Sequence, residues 1–404
     1  WRLADVERRE VTALARPALV LVDEEVGLTD YPMPRVHLGD HYEHALESAV
    51  PMPARDPEPE EIAQILFTSG TTGAPKGALL PWRQVEFNAR ATAGLCDLGE
   101  SSSTLAFLPT FHTGGLNCLA IPTLAAGGCI WLMRRFDADV AAKLLASGAI
   151  EATVAVPAMY QLLLDAGFSG TPLTEVNYLV GGAPLPEALA SAYRELGCPL
   201  RQGFGMTEDG PNCFTGGAAE IGEQTPGTSA RVVDERGAPV APGVVGELEL
   251  RGPHVFSGYF DNPAATADAR RGPWFRTGDL ATVDAHGHYS IRGRAKEMFI
   301  SGGENVYPAE VEAALARHPG VSEVVVVGVP DARWGEVGLA TFVAAAGADI
   351  DEGELSRFAR SQLAGYKVPR HFVQTRELPR TATGKVAKSK LHRNVATTNI
   401  RETA

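Results

Sequence analysis

Long apolar runs are missing from this 404-residue chain. Runs such as Val324 to Val327 fall far short of the ~20 residues a membrane helix needs. No charged-then-apolar leader opens it, and it begins at Trp1 without a methionine. Cysteine is scarce. Cys96, Cys118, Cys129, Cys198 and Cys213 are scattered, odd in number and without a Cys-x-x-Cys pair. That excludes a disulfide scaffold and points to reduced thiols in a cytoplasmic setting. Basic residues are outnumbered, 36 Lys and Arg against 49 Asp and Glu, for a net charge of −13. Nucleic acid and anionic membrane surfaces are therefore poor general partners. Several catalytic signatures are also absent: no Gly-x-Ser-x-Gly elbow, no His-Glu-x-x-His, no Cys/His metal cluster, and no Gly-x-Gly-x-x-Gly opening a helix after a strand. These gaps argue against a serine hydrolase, a zinc protease and a nicotinamide dehydrogenase. No repeat of fixed period is present.

What remains is an ordinary globular composition, 45% hydrophobic and 21% charged, on a chain long enough for two or three domains. Arg2 to Ala15 reads as a helix and Ala18 to Val22 as a short strand, and Tyr31 to Glu61 as a Pro- and acid-rich surface connection. From Ile62 to Phe204, strands alternate with helices: Thr104 to Leu108, Cys129 to Met133, Ala152 to Val156, Val176 to Val180 and Leu200 to Phe204 are strands, and Leu116 to Ala126 is one of the helices. That alternation predicts an α/β fold of parallel layers. Turn signals thicken after Pro226, so a β-rich subdomain is expected over about 226–293, inside an N-terminal domain of residues 1–295. Residues 296–404 read as a small α+β C-terminal domain.

One stretch organises the rest. Ile62 to Phe67 runs into Thr68-Ser69-Gly70-Thr71-Thr72-Gly73-Ala74-Pro75-Lys76-Gly77. Glycines allow close backbone approach, successive N–H groups make an anion nest, and Lys76 adds positive charge. The chemistry is phosphate cradling, although the spacing is not that of the common NTPase loop and a solvated turn fits equally well by local pattern. Three more glycine-rich strand ends follow: Pro109 to Gly115, Gly181-Gly182-Ala183-Pro184, and Gly203-Phe204-Gly205-Met206-Thr207-Glu208. Ligands in α/β sheets bind outside such ends, so a single cleft at one sheet edge is expected. Glu208 suits Mg²⁺, although by local pattern alone a helix-start acid is the commoner reading. Asp279, in Thr277-Gly278-Asp279, could accept two hydrogen bonds from a diol or cap a turn. Arg294 and Lys296 lie where one region gives way to the next, as hinge residues or as a solvated cluster. Ser301-Gly302-Gly303 opens another loop, and Lys385 tips a polar turn.

In this order the motifs resemble the adenylate-forming superfamily of acyl-CoA synthetases, peptide-synthetase adenylation domains and beetle luciferases. The resemblance spans nearly the whole chain and includes Phe111-His112, Gly293-Arg294-Ala295-Lys296-Glu297 and Pro379 to Lys385. It implies a two-step ligase: a carboxylic acid and Mg·ATP give acyl-AMP and pyrophosphate, then coenzyme A takes the acyl group and AMP leaves. The family pattern implies that Thr68 to Gly73 and Lys76 hold the β- and γ-phosphates. Gly181 to Pro184 and Gly203 to Met206 would frame adenine. Thr207 would contact the α-phosphate, Glu208 the Mg²⁺, and Asp279 and Arg294 the ribose. Lys385 would reach the α-phosphate and the substrate carboxylate. The C-terminal domain would rotate about Lys296, carrying Gly302 and Gly303 toward a pantetheine tunnel near Phe111, His112 and Gly114.

His112 replaces the Asp that amino-acid-activating members carry, which argues against an amino acid and for a CoA synthetase. The apolar or small pocket candidates, Gly114, Gly115, Leu116, Met159, Val180, Cys213 and Phe214, lead to the expectation of a fatty or aryl acid. Phe204 stands where Tyr is usual, and Asp209 follows Glu208. Family members also carry roughly a hundred more residues before the point where this chain starts, so the resemblance implies that the N-terminal domain lacks a domain-sized piece. Transfer to a carrier-protein phosphopantetheine, and an inactive nucleotide-binding homologue, stay open as alternatives. A homodimer is also left open.

Overall fold

The computed structural model describes residues 5–23, 33–69, 75–173, 176–183, 185–216, 220–380 and 386–391. Its central layer is a seven-stranded sheet in the order Glu223–Gln224, Gly210–Gly216, Leu200–Met206, Asn177–Val180, Ala152–Ala155, Ser103–Ala106, Cys129–Leu132. The last five strands run parallel. Parallel strands need cover on both faces, and the side chains divide accordingly. Tyr178 and Val180 pack with the helices Ala138–Ala146, Pro157–Asp165 and Glu187–Glu195, while Leu179 and Val154 pack on the opposite face with Cys96, Cys118 and Leu119. Buried tyrosines need partners for their hydroxyls: Tyr160 donates to the Leu179 carbonyl at 2.8 Å and Tyr193 to the Tyr160 carbonyl at 2.9 Å.

Two antiparallel sheets complete this part. Ile62–Ser69 and Pro75–Pro81 form a hairpin joined at its edge by Gly258–Tyr259. Ser229–Val233, Gly246–Arg251 and Trp274–Val283 lie side by side, flanked by Arg270–Arg271 and Tyr289–Arg294. Along Gly246–Arg251, Leu248 and Leu250 face the core, and Glu247 and Glu249 face the opposite side. Glu249 is fully buried there: Arg231 reaches its Oε2 at 2.9 and 2.6 Å, and Arg271 its Oε1 at 2.6 Å.

The residues after Lys296 build their own sheet, Glu304–Val306, Phe299–Ser301, Gly335–Ala344, Val321–Asp331, with His371–Gln374 parallel to Gly335–Ala344. Val326, Ala340 and Phe342 face the helices Pro308–Leu315 and Glu352–Gln362, whereas Val325, Val327 and Leu339 face Leu378 and Leu391. Alternating burial of this kind is what fixes register.

Several expectations change. The connection before the hairpin holds a strand, Arg35–His37, paired with Val20–Val22, and a helix, Asp40–Ser48. The helix expected from Leu116 breaks into Thr113–Gly115, a π-turn at Leu116–Ala120, and Ile121–Ala125, which turns Asn117 and Cys118 inward. Gly210–Gly216 is a strand antiparallel to Leu200–Met206. The strands that flank the opening loop, Ile62–Ser69 and Pro75–Pro81, pair with each other in a separate sheet and not at the parallel sheet edge that carries the other glycine-rich turns.

His254 is buried beside the Phe87 ring, with neither ring nitrogen hydrogen-bonded among the described residues. Burial, with Arg83 adding its charge, lowers its pKa to about 4. A histidine neutral in the fold and protonated in the unfolded chain withdraws stability as pH falls from about 6.5 toward 4, by on the order of 3 kcal/mol. Melting temperatures over that range should therefore fall less steeply for His254→Leu than for the parent. Parallel slopes would refute this.

Candidate active site

The tight turn that joins Leu200–Met206 to Gly210–Gly216 presents Thr207, Glu208 and Asp209, all buried. It is held from three sides. The Met206 N–H donates to Asp209 Oδ1 at 2.6 Å, Gln84 Nε2 donates to the Thr207 carbonyl at 3.2 Å, and the Phe256 N–H donates to the Glu208 carbonyl at 2.8 Å. Close backbone approach leaves no room for side chains: a Cβ on Gly205 would lie 2.2 Å from the Gly210 carbonyl oxygen, and one on Gly203 2.6 Å from Asn212 Oδ1. Asp209 is fully buried, and its Oδ2 has no hydrogen bond among the described residues. Burial pushes this carboxyl well above its usual range, and the nearby Glu208 and Asp279 charges push the same way.

Tyr259 lies beside this turn. Its hydroxyl donates to Glu208 Oε1 at 2.9 Å, and Lys76 Nζ sits 5.2 Å from its ring centre. Burial raises its phenol pKa, Glu208 adds to the shift, and Arg294 opposes it. Arg294 Nε pairs with Asp279 Oδ1 at 2.7 Å, and Arg294 Nη1 donates to the Thr277 carbonyl at 3.2 Å. Asp279 is buried in the middle of Trp274–Val283, opposite Arg294 in register. Lys76, Glu208, Asp279 and Arg294 thus meet around Tyr259 and Asp209, although they are spread over more than two hundred positions of sequence.

The remaining expected residues are placed as follows. Thr68 pairs with Lys76 across the hairpin, and Ser69 with Pro75. Gly70, Thr71, Thr72 and Gly73 lie outside the described residues, as do Pro184 and Lys385. Gly181 sits next to the Gly203 carbonyl, and Gly182 takes a left-handed φ of 79° that suits glycine. Phe204 packs edge-on to Phe214. His112 Nδ1 accepts from the Gly114 N–H at 3.0 Å, and Phe111 is exposed. Lys296 is exposed in the turn between Tyr289–Arg294 and Phe299–Ser301. Gly302 lies against Trp334, within the C-terminal sheet.

Sequence reasoning missed Tyr259, Gln84 and a set of buried amides. Asn88 Nδ2 donates to the Asn117 carbonyl at 2.5 Å, Asn117 pairs with Gln64, and Asn212 Nδ2 reaches Thr92 Oγ1 and the Cys118 carbonyl. Only the polar residues on the inner face of Trp82–Leu95, Gln84, Asn88 and Thr92, hinted at it.

Among the described residues no group of three or more His, Cys, Asp or Glu could hold a metal by itself. A single buried carboxylate beside a hydroxyl fits Mg²⁺ carried in on nucleotide phosphates, since that ion keeps waters and takes one or two protein carboxylates. No helix among the described residues is long and apolar enough to cross a membrane.

A mixed α/β body with a glycine-rich hairpin and a second, smaller α+β sheet defines a class, and comparison with known proteins identifies it. Residues 5–260 match the AMP-binding enzyme family, and residues 310–385 match the AMP-binding enzyme C-terminal domain. The chain belongs to the AMP-binding enzyme family. It is 39% identical to a feruloyl-CoA synthase of Amycolatopsis sp over 343 residues, 83% of this chain and 70% of that protein. It is 36% identical to the indoleacetate–CoA ligase of Aromatoleum aromaticum over 421 residues, 98% of this chain and 82% of that one. The fold overlays O-succinylbenzoate coenzyme A synthetase of Bacillus subtilis, solved with ATP and magnesium ion, with a TM-score of 0.87 at 28% identity, covering 96% of this chain and 82% of that one.

Proposed function

We infer that the chain is an ATP-dependent, AMP-forming acid–thiol ligase, an acyl-CoA synthetase, and that its acid carries an aryl group. The observation that carries the reading is the meeting of Lys76, Glu208, Asp279 and Arg294 at one turn. Support for the acid and the thiol comes from relatives named as feruloyl-CoA synthase and indoleacetate–CoA ligase.

In the first step a carboxylate oxygen bonds to the α-phosphorus of ATP and the bond to pyrophosphate breaks. In the second, the coenzyme A thiol attacks the acyl carbon, AMP leaves and the thiol proton is released. Bound Mg²⁺ supplies charge neutralisation at the phosphates. Glu208 would hold it, Thr207 would donate to the α-phosphate, and Thr68 to Gly73 with Lys76 would hold the β- and γ-phosphates. Gly181 to Pro184 and Gly203 to Met206 flank adenine, and Asp279 with Arg294 binds the ribose hydroxyls. Lys385 bridges the attacking carboxylate and the α-phosphate. Residues 296–404 form a mobile unit hinged at Lys296, which exchanges Lys385 for Gly302 and Gly303 near Phe111, His112 and Gly114 before the second step. Residues 1–295 stay as the fixed adenylation body, and the protein works in the cytoplasm.

A pyrophosphate-release screen tests this. Phenylpropenoic, indole, benzoic, fatty and dicarboxylic acids are offered with ATP and Mg²⁺, with and without coenzyme A. Release should be greatest with aryl acids, by at least about tenfold in kcat/KM (about 1.4 kcal/mol) over fatty and dicarboxylic acids, with coenzyme A required for sustained turnover. No acid-dependent release would refute the ligase. Turnover insensitive to coenzyme A would refute the acceptor.

A further inference from the structure

We propose that Tyr259 is a positioning residue that fixes the carboxylate of Glu208 for Mg²⁺ and the ammonium of Lys76 for phosphate. The proposal rests on the ligase reading above and adds a residue to it.

Tyr259 ends a two-residue strand that is held rigidly. The strand pairs with Pro75–Pro81, Tyr259 opposite Ala78, and the flanking Ser257 and Phe260 N–H groups donate to the carbonyls of Leu79 and Gly77 at 2.9 and 2.8 Å. The Tyr259 N–H donates to Thr266 Oγ1 at 2.9 Å. Its ring packs edge-on to Phe256, centroids 4.9 Å apart. Phe256 in turn binds the Glu208 carbonyl through its own N–H. One short segment therefore holds Glu208 twice, by its main chain and by its carboxylate.

The hydroxyl of Tyr259 occupies Oε1 of Glu208, which fixes the plane of the carboxylate and directs metal binding to the other oxygen. Groups that hydrogen-bond a ligating carboxylate in this way typically change metal affinity by about 10–100-fold when removed. The same ring lies under Lys76, whose ammonium is drawn to an aromatic face. Lys76 stands at the base of the hairpin tip, on the strand that pairs with Tyr259's own. Hydroxyl and ring thus act on two different groups, and they can be removed separately.

The test uses the full chain with α,β-methylene-ATP, whose methylene bridge prevents transfer of its adenylyl group, and Mn²⁺ in place of Mg²⁺, with free Mn²⁺ read by electron paramagnetic resonance. Tyr259→Phe should weaken Mn²⁺ binding in the ternary complex by about tenfold, leave metal-free analogue binding unchanged, and melt within about 2 °C of the parent. Tyr259→Leu should show the same metal loss plus a several-fold loss of analogue affinity at saturating Mn²⁺. Glu208→Gln is the control. Weak metal binding in Glu208→Gln with parental binding in Tyr259→Phe would overturn the role of Tyr259 and leave the ligase reading standing. Parental binding in Glu208→Gln would overturn the metal assignment itself. Equal analogue affinity in Tyr259→Phe and Tyr259→Leu would remove the Lys76 half of the proposal.

Discussion

Replacing Lys385 with alanine is expected to lower carboxylate-dependent ATP–pyrophosphate exchange by about 10²–10³-fold, roughly 3–4 kcal/mol in the barrier. The reason is charge. A carboxylate and a polyphosphate approach each other in the first step, and negative charge concentrates on the oxygens between them. A preorganised ammonium at that place stabilises the transition state more than the separated reactants, which is the condition for accelerating a step. The second step brings a thiol to a neutral acyl carbon and does not gather two anions. Thioester formation from preformed acyl-AMP and coenzyme A should therefore survive in Lys385→Ala to within a few-fold. Lysine to arginine should recover part of the exchange, because the charge returns with a different reach. Exchange within tenfold of the parent in the alanine variant would remove Lys385 from the first step. Equal loss in both assays would indicate a damaged fold.

The largest effect on stability is expected at Glu249. It stands between Arg231 and Arg276 in register on neighbouring strands, is fully buried, and is bonded by Arg231 and Arg271. The Arg231 guanidinium also lies 4.3 Å from the centre of the Trp274 ring. Removing one partner of a buried ionic cluster leaves the other charges without compensation, at a typical cost of 3–5 kcal/mol. Both arginines keep about a quarter of their side-chain surface in water, so the lower end, about 3 kcal/mol, is the expected loss for Glu249→Ala. Glu249→Gln keeps the acceptor and should lose less. Urea unfolding followed by tryptophan fluorescence reads the difference, and a loss below about 1 kcal/mol for alanine would show that the cluster contributes little.

The parallel layer was legible because its strands are short apolar runs spaced by helices and ending in glycine or proline, as at Val180 before Gly181 and Ala155 before Val156-Pro157. The C-terminal sheet was legible in the valine run from Val321. Gly210–Gly216 was not, because Gly-Pro-Asn-Cys-Phe-Thr-Gly has poor intrinsic strand character and forms one only by pairing with Leu200–Met206. Glu304–Val306 was hidden inside a glycine loop for the same reason. At the site, the residue types were readable from their motifs, but their support was not. The contact between Tyr259 and Glu208 crosses 51 positions and that between Gln84 and Thr207 crosses 123. No local pattern encodes either, since both depend on which sheet edge the hairpin joins.

The close glycine contacts between Leu200–Met206 and Gly210–Gly216 also govern how this enzyme can be re-engineered. Gly203 and Gly205 face backbone or a fixed amide at distances no Cβ tolerates, and Asn212 holds a left-handed φ of 63°. Library members substituted at Gly203, Gly205 or Asn212 would not keep this strand pair closed. Diversity belongs on the facing helix and π-turn, at Asn88, Asn117 and Cys118, whose side chains are buried. The two strands set a floor that evolution in the laboratory has to build upon.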